Sequence, residues 1–449
     1  MKVAAINALQ QMDAARARPI LRRVLAKRDS VSACIRRKAV FLIAQQNEPG
    51  TEDILLESVR SDPDPEVRRQ AVFWLSQVST DRAVGALDSI LRFSNDEEIQ
   101  ERAVFALSQH DSPRAQQALR TYAERKEVPE AMRERAIFWL GQRQTPENAA
   151  FLRSLYGRLR GQVPWGPGDR RGALNHLGPA QVQAAASEVR LGRTVSLAAP
   201  VEHQVTADDP DPAQHRMVQA PGAGGDGLEF AADRIAMNIH GDADSHIDAL
   251  CHVSFDGTLY NGVPATTAVT ASGAVELSIA AAADGIAGRG VLLDVPRSRG
   301  VPWLEPGDHV TPGDITATER DQGVRIGRGD ILLVRVGHRL RRRECGPWDA
   351  AAARAGLHPS VMPMLAERRI AVLGSDSNND TAPSVADGVE FPVHVLAINA
   401  LGLMLLDYLS FDELVPLCEE AGRWSFLCVI APLRLPTGTG SPVNPIALM

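Results

Sequence analysis

The chain has 449 residues, of which 44% are hydrophobic and 23% are charged, and its formal net charge is −7. This length is too great for one ordinary core, so two or three globular domains are expected. The sequence contains no apolar run of about 18 residues and no secretory leader, which excludes a membrane-spanning helix and favours a cytoplasmic protein.

The distribution of cysteines and charges indicates the redox compartment of the protein and the kind of partner it binds. The five cysteines are odd in number and scattered, with no C-x-x-C pair, which indicates reduced thiols in the cytoplasm. Residues 1–160 carry 26 Lys and Arg against 21 Asp and Glu, or +5, and the remainder carries 22 against 34, or −12. Because basic and acidic residues alternate in the first part, they are typical of solvated helix faces and predict no nucleic-acid partner.

A repeated segment organises the first 160 residues. RKAVFLIAQ returns as RQAVFWLSQ, ERAVFALSQ and ERAIFWLGQ. The alanine of each copy, at Ala39, Ala71, Ala103 and Ala136, follows the previous one by 32, 32 and 33 residues. A fixed period in this range predicts an all-α solenoid in which each unit buries its apolar face against its neighbours.

The period and pattern resemble HEAT repeats over residues 1–159. That resemblance implies scaffolding and a possible protein partner rather than a chemistry. Residue 1 already lies inside the helical pattern and no polar capping repeat precedes it, so we expect either that the natural protein starts earlier or that its gene start has been trimmed.

From about residue 162 the sequence becomes rich in Gly and Pro, with short apolar runs. Predicted strands are 193–197, 290–295, 330–336 and 370–374, and predicted helices are 179–190, 359–368 and 396–404. Strands mixed with helices over residues 162–449 predict a single α/β domain. The run Arg339 to Arg343 is interpreted as a solvated face, with contact to an acidic substrate as the alternative.

The most informative segment of the second half is DADSHIDALCH, from Asp242 to His252, with His240 two residues upstream. Imidazole nitrogens and carboxylate oxygens are the ligands of Zn and Mn sites. Positions 240, 242, 246, 248 and 252 share parity, so they would share one face of an extended strand. The segment therefore predicts a divalent metal site, Zn or Mn.

Four blocks of the second half together resemble the cyclase family of metal-dependent hydrolases, which includes bacterial kynurenine formamidases and isatin hydrolases. The blocks are WGPGDRRGALN at 165–175, SHIDALCHVSFDGTLYNG at 245–262, FPVH at 391–394 with Leu406-Asp407, and APLRLPTGTGSPVNPI at 431–446. The resemblance implies a swivelling β/β/α domain that assembles as a homodimer or larger.

The family pattern H-x-G-T-H-x-D-x-P-x-H places His246, Asp248 and His252 at its second His, its Asp and its last His. The first His falls at Asp242, whereas His240 lies two residues too early. Either Asp242 is the first metal ligand, or a bulge lets His240 reach the metal. An aspartate there would favour Mn or Mg over Zn.

The residues and the resemblance together imply roles in the hydrolysis of a C–N amide bond in an aryl formamide or cyclic amide by a metal-activated water. His252 would be the general base and later the acid. His394 would assist as a ligand or proton donor, or is a core histidine. Asp407 would bind a second ion or orient His394, or is a surface acid. The alternative is a HEAT scaffold protein with a weakly active or inactive cyclase-like domain.

Overall fold

The computed structural model describes residues 12–29, 32–46, 48–78, 80–94, 96–110, 112–125, 127–141, 146–161, 164–220, 222, 227–386 and 388–449. The start of the first predicted repeat and Gln142, the last residue of the fourth repeated segment, lie outside these residues. The chain divides into two compact units, Met1–Arg143 and Gln144–Met449. The domain boundary drawn from the sequence, between residues 159 and 162, stays a prediction.

The first unit is helical throughout its described elements. Its helices are α1 (Ala14–Leu25), α2 (Ala33–Gln46), α3 (Thr51–Ser61), α4 (Pro65–Ser76), α5 (Asp81–Phe93), α6 (Glu97–Gln109), α7 (Pro113–Glu124) and α8 (Glu130–Gly141). Side-chain caps fix several starts: Asp64 accepts from Val67 N, and Asp96 accepts from Ile99 N. The helical first part predicted from the repeats is therefore confirmed.

The 32-residue period appears as a regular packing pattern. The helices that carry the repeated segment pack in order, α2 on α4, α4 on α6 and α6 on α8, and α3, α5 and α7 pack likewise. The alanine of each repeated segment is fully buried, at Ala39, Ala71, Ala103 and Ala136. A residue this small lets neighbouring helices approach closely. Within the same unit the buried Arg36 guanidinium pairs with Asp62, Nε to Oδ2 at 2.7 Å.

The second unit is built on a curled mixed sheet. Its strands are β1 (Thr194–Ser196), β2 (Gln214–Gln219), β3 (Ala232–Ala236), β4 (His246–Asp248), β5 (Val269–Thr270), β6 (Gly273–Ala274), β7 (Ile286–Asp294), β8 (His309–Val310), β9 (Ile331–Arg335), β10 (Gly356–Leu357), β11 (Val372–Ser375), β12 (Met404–Asp407), β13 (Ser425–Ile430), β14 (Gly440–Pro442) and β15 (Ile446–Leu448). The main sheet has the order β1-β15-β13-β7-β9-β11-β12-β4-β14. Strands β7, β9, β11 and β12 are parallel, and the others in this sheet pair antiparallel.

Helices surround this sheet. They are α9 (Pro146–Gly161), α10 (Pro179–Ala186), α11 (Ala265–Ala268), α12 (Val295–Arg299), α13 (Pro312–Gln322), α14 (His338–Cys345), α15 (Met362–Arg368), α16 (Pro392–His394) and α17 (Leu414–Ala421). Short 3-10 turns lie at Gly172–His176, Tyr260–Gly262, Ile279–Ala282 and Pro359–Val361, and a π-helix spans Val395–Leu401. Within the described ranges, no helix is long and apolar enough to cross a membrane.

The four predicted strands are confirmed within one to four residues at their ends, as β1, β7, β9 and β11. The predicted helix 396–404 was wrong at its end. Gly402, with φ of 65°, terminates the π-helix, and β12 begins at Met404. A glycine in the left-handed conformation commonly ends a helix. The buried apolar run after it is compatible with either a helix or a strand, so the sequence pattern did not distinguish them.

Candidate metal centre

The candidate centre lies where several chain segments end together. Strand β4 supplies His246 and Asp248, the carboxyl end of β12 supplies Asp407, and the end of α16 supplies His394. Strand β4 pairs antiparallel with β12, with His246 opposite Asp407, so both ligand-bearing segments are fixed by one hydrogen-bonded register. Carboxyl ends of parallel strands are a usual place for binding sites in such sheets.

Two groups of side chains in this region each offer atoms that lie within 4.8 Å of one another. The first group is His240, His246 and Asp248, and the second is Asp248, His394 and Asp407. Asp248 belongs to both. All but His240 are buried, and His240 is half-buried. Five of the predicted site residues therefore come together around one carboxylate.

The hydrogen bonds of two histidines show that the donor set fits a cation. His246 Nδ1 lies 2.8 Å from the backbone oxygen of Asp244, which only accepts, so Nδ1 donates this bond and Nε2 is the nitrogen that faces the centre. That Nε2 lies 3.7 Å from Asp248 Oδ1 and 3.9 Å from Asp407 Oδ2. An imidazole nitrogen and two carboxylate oxygens around one buried space are a donor set that suits a cation.

His394 repeats this arrangement from the other side. Its Nδ1 lies 2.6 Å from Asp380 Oδ2, and its Nε2 lies 3.4 Å from Asp248 Oδ2 and 3.3 Å from Asp407 Oδ2. Burial disfavours the charged ring, but Asp407, Asp248 and Asp380 outweigh it and raise the pKa of His394 well above its ordinary value. A proton on His394 thus supplies part of the positive charge that a metal ion would otherwise bring.

Asp248 is the electrostatic centre of the site. It is 1% exposed, and within the described chain its Oδ2 accepts no hydrogen bond. Burial would raise the pKa of its carboxyl, but His252, His240 and His394 outweigh burial and hold that pKa well below the ordinary value. An ionised, buried carboxylate that faces several imidazole rings is a strong candidate ligand for a divalent ion.

The structure distinguishes His240 from Asp242. His240 Nδ1 lies 2.8 Å from Asp248 Oδ1 and its Nε2 lies 2.9 Å from Thr439 Oγ1, so the ring reaches the centre. Asp242 belongs to neither group; its Oδ1 accepts a 2.8 Å hydrogen bond from the Tyr408 hydroxyl. Within residues 240–252, all of which the structure describes, only His246–Asp248 is a strand, so the shared parity of 240 and 242 does not place them on one face.

His252 lies beside the centre and in neither ligand group. Its ring stacks on that of His240, with centroids 3.8 Å apart, and lies 6.4 Å from the His394 ring. Burial lowers the pKa of His252 to about 4, so its imidazole is neutral at pH 7. Cys251 is buried, and burial raises the pKa of its thiol to about 12, so it is no nucleophile.

Several residues of the site were not predicted from the sequence. Asp380 orients His394, Asn378 and Asn379 donate to Asp407, and Thr439 contacts His240. A polar run from Asp376 to Asp380 follows a buried strand directly. This pattern could have identified Asn378, Asn379 and Asp380 from the sequence. Thr439 lies about 200 residues from His240, so only the fold brings them together.

Glycine at 440 is required by the same contact. A Cβ built on Gly440 would lie 2.7 Å from His240 Cε1 and 2.6 Å from the backbone oxygen of Ile247, both closer than real Cβ contacts. The edge strand β14 therefore reaches β4 and His240 only because residue 440 has no side chain.

The fold and this centre define a cyclase-type α/β domain, and comparison with known proteins supports that class. The family model described as "Putative cyclase" matches residues 179–379. A crystal structure described as a novel cyclase is 30% identical with a TM-score of 0.57, and the match covers 65% of this chain and 99% of that chain. The chain therefore belongs to the cyclase family.

More distant structures also align. Isatin hydrolase A from Labrenzia aggregata, solved with benzyl benzoate, is 22% identical over 59% of this chain and 94% of its own, with a TM-score of 0.41. A structure described as a "predicted metal-dependent hydrolase" from Bacillus stearothermophilus is 16% identical over 57% and 97%, with a TM-score of 0.35. No curated protein matches this chain.

Proposed function

We propose that this protein is a divalent-metal-dependent hydrolase, with Asp248 shared by two ligand groups. His240, His246 and Asp248 would hold one ion, and Asp248, His394 and Asp407 would hold a second. The observation that carries this proposal is the convergence of these five side chains within a domain of the cyclase family. Imidazole and carboxylate donors suit Zn or Mn, and we propose one of these as the cofactor.

We propose hydrolysis of a C–N amide bond, in an aryl formamide or a cyclic amide, as the reaction. The family resemblance of the sequence supports that substrate class. A bound ion would act as a Lewis acid and lower the pKa of water. Such an arylformamidase-like reaction also needs a residue that accepts a proton and returns it to the leaving nitrogen.

His252 is suited to that task. Its neutral imidazole is half-buried beside the ligand groups, so it can both accept a proton and exchange it with a bound molecule. Stacking on His240, a member of one ligand group, fixes the plane of the ring. His252 would thus take a proton during attack and donate it to the departing amine, whereas His394 would serve as a ligand.

The test measures metal content and turnover together. Wild type, Asp248→Ala and His252→Ala would be reconstituted with Mn²⁺ or Zn²⁺, analysed for bound metal, and assayed with an aryl formamide and a cyclic amide. We expect Asp248→Ala to lose metal and activity and His252→Ala to keep metal and lose activity at least 100-fold. His203→Ala, which changes a histidine stacked on His215, is the matched control.

Wild-type protein with stoichiometric metal and no turnover of any amide would instead favour the scaffold function. The exposed aromatic rings of the first unit support that second candidate: Phe73 is 49% exposed and Phe93 is 75% exposed. We propose that these helices are HEAT-type repeats that bind a protein partner. Assembly as a homodimer or larger, absence of nucleic-acid binding and a cytoplasmic location also remain proposals.

A further inference from the structure

The arginine-rich helix α14 contains one residue that differs from its neighbours. Arg341, Arg342 and Arg343 pair with carboxylates, at Glu305, Asp208 and Asp412 respectively. Arg339 has no carboxylate partner in the described part of the chain, yet it is only 9% exposed. The prediction of a solvated face was wrong for Arg339, because the helix presents this residue to the interior.

Backbone oxygens replace the missing carboxylate. Arg339 Nη2 donates to the backbone oxygen of Ala243 at 2.6 Å and to that of Tyr408, and its Nε donates to that of Leu409 at 3.2 Å. A buried guanidinium is costly unless its N–H groups find acceptors, and three carbonyl oxygens accept from three of its five N–H groups here. The Arg339 guanidinium therefore links two separate chain segments, one at Ala243 and the other at Tyr408 and Leu409.

Both segments lead directly to the metal centre. Ala243 lies three residues before His246, at the entrance to β4, and Tyr408 immediately follows Asp407 at the end of β12. The guanidinium thus fixes the distance between the two strands just outside the ligand atoms. Because β4 and β12 pair over only two residues, their register alone gives little rigidity.

Tyr408 adopts a backbone conformation that needs such support. Its φ is 54°, in the left-handed region that a bulky residue rarely occupies. The Ser245 hydroxyl donates to the Tyr408 backbone oxygen at 2.6 Å, in addition to Arg339, and the Tyr408 hydroxyl donates to Asp242. These bonds hold the turn after Asp407, and so they set the direction of that carboxylate.

We propose that Arg339 is a positioning residue of the metal centre: by bridging the backbone oxygens of Ala243 and Tyr408, it holds Asp407 in reach of the ion shared with Asp248 and His394. Asp242, which occupies the place of the first family ligand, then serves this support through Tyr408 rather than binding metal. The inference rests on the proposed function, because it assumes that the centre binds a divalent ion.

The test is Mn²⁺ binding by isothermal titration calorimetry to the full chain. Residues that orient metal ligands change affinity by about 10- to 100-fold. We expect Arg339→Met to weaken binding within this range. We expect Arg339→Lys to fail to restore binding, because an ammonium group cannot span the carbonyl oxygens. Arg343→Met, on the exposed side of the same helix, should bind as wild type does.

Thermal melting of each variant separates folding from positioning, and every titration is run at least 20 °C below the variant's melting point. If Arg339→Met does not fold, the Ser245→Ala variant is used instead, because Ser245 is the other donor to the Tyr408 backbone oxygen. We expect Ser245→Ala to bind Mn²⁺ about tenfold more weakly than wild type. Wild-type affinity in the folded Arg339 or Ser245 variants would overturn the inference. Absence of Mn²⁺ binding by the wild type would instead overturn the proposed function.

Discussion

Asp380→Asn is a demanding test of the metal centre, because it replaces one oxygen of a residue that belongs to neither ligand group. The Asp380 carboxylate accepts three hydrogen bonds, from Val393 N at 2.6 Å, from His394 N at 2.9 Å and from His394 Nδ1 at 2.6 Å. The last bond keeps the proton on Nδ1 and leaves Nε2 as the ligand atom.

The magnitude follows from those bonds. Asparagine keeps one accepting oxygen and turns the other into a donor, so at least one of the three N–H groups loses its partner. An unsatisfied buried donor costs about 1–3 kcal/mol. Loss of the group that orients a ligating histidine weakens metal binding by about 10- to 100-fold, or about 1.4–2.8 kcal/mol. We expect one equivalent of Mn²⁺ to be affected more than the other.

The assay is calorimetric titration with Mn²⁺, with melting temperatures measured alongside. Asp294→Asn is the matched control: Asp294 is 2% exposed and accepts from Arg335 and Arg297 N, away from the ligands. That variant should lose stability and keep metal affinity. Metal affinity in Asp380→Asn within threefold of wild type would show that His394 binds metal without its carboxylate partner, and would contradict the role assigned to Asp380.

Three further predictions follow from the same geometry. His240→Ala should lose one equivalent of metal by elemental analysis and Asp242→Ala should keep both, because only His240 belongs to a ligand group; the reverse result would assign Asp242 as the ligand. Gly440→Ala should displace His240 and weaken Mn²⁺ binding about tenfold. Gly168→Ala should bind Mn²⁺ as wild type does, because no atom lies within 4 Å of a Cβ at that position. Equal Mn²⁺ affinities of the two variants would contradict the proposed contact between Gly440 and His240. A free metal concentration about 100 times Kd should stabilise the fold by about 2.7 kcal/mol, and EDTA should abolish this in thermal melting; identical melting curves would argue against a bound ion.

Sequence periodicity was sufficient for the coarse architecture. The copies of one segment at a period of 32 or 33 residues predicted the helical first unit, because each copy repeats the same buried alanine and the same aromatic position. Short apolar runs predicted β7, β9 and β11, since strands buried on both faces are continuous in hydrophobicity. The stretch 396–404 failed because an apolar run does not distinguish helix from strand.

The site was predictable only where its residues are close in sequence. His246 and Asp248 lie on one short strand, so their spacing carries information. The contribution of His240 depends on Gly440 and Thr439, which the fold brings from the far end of the chain. Arg339 was misread for a related reason: four arginines within five residues indicate a solvated face, and only tertiary packing shows that one of them is buried.

The metal centre at Asp248 is tested most directly by anomalous X-ray diffraction from crystals of the protein grown with Mn²⁺. We expect anomalous density beside Asp248 within the group of Asp248, His394 and Asp407, and a second peak within the group of His240, His246 and Asp248. Fully occupied Mn²⁺ elsewhere in the crystal with no density at Asp248 would contradict the assignment of this centre, and with it the proposed hydrolase.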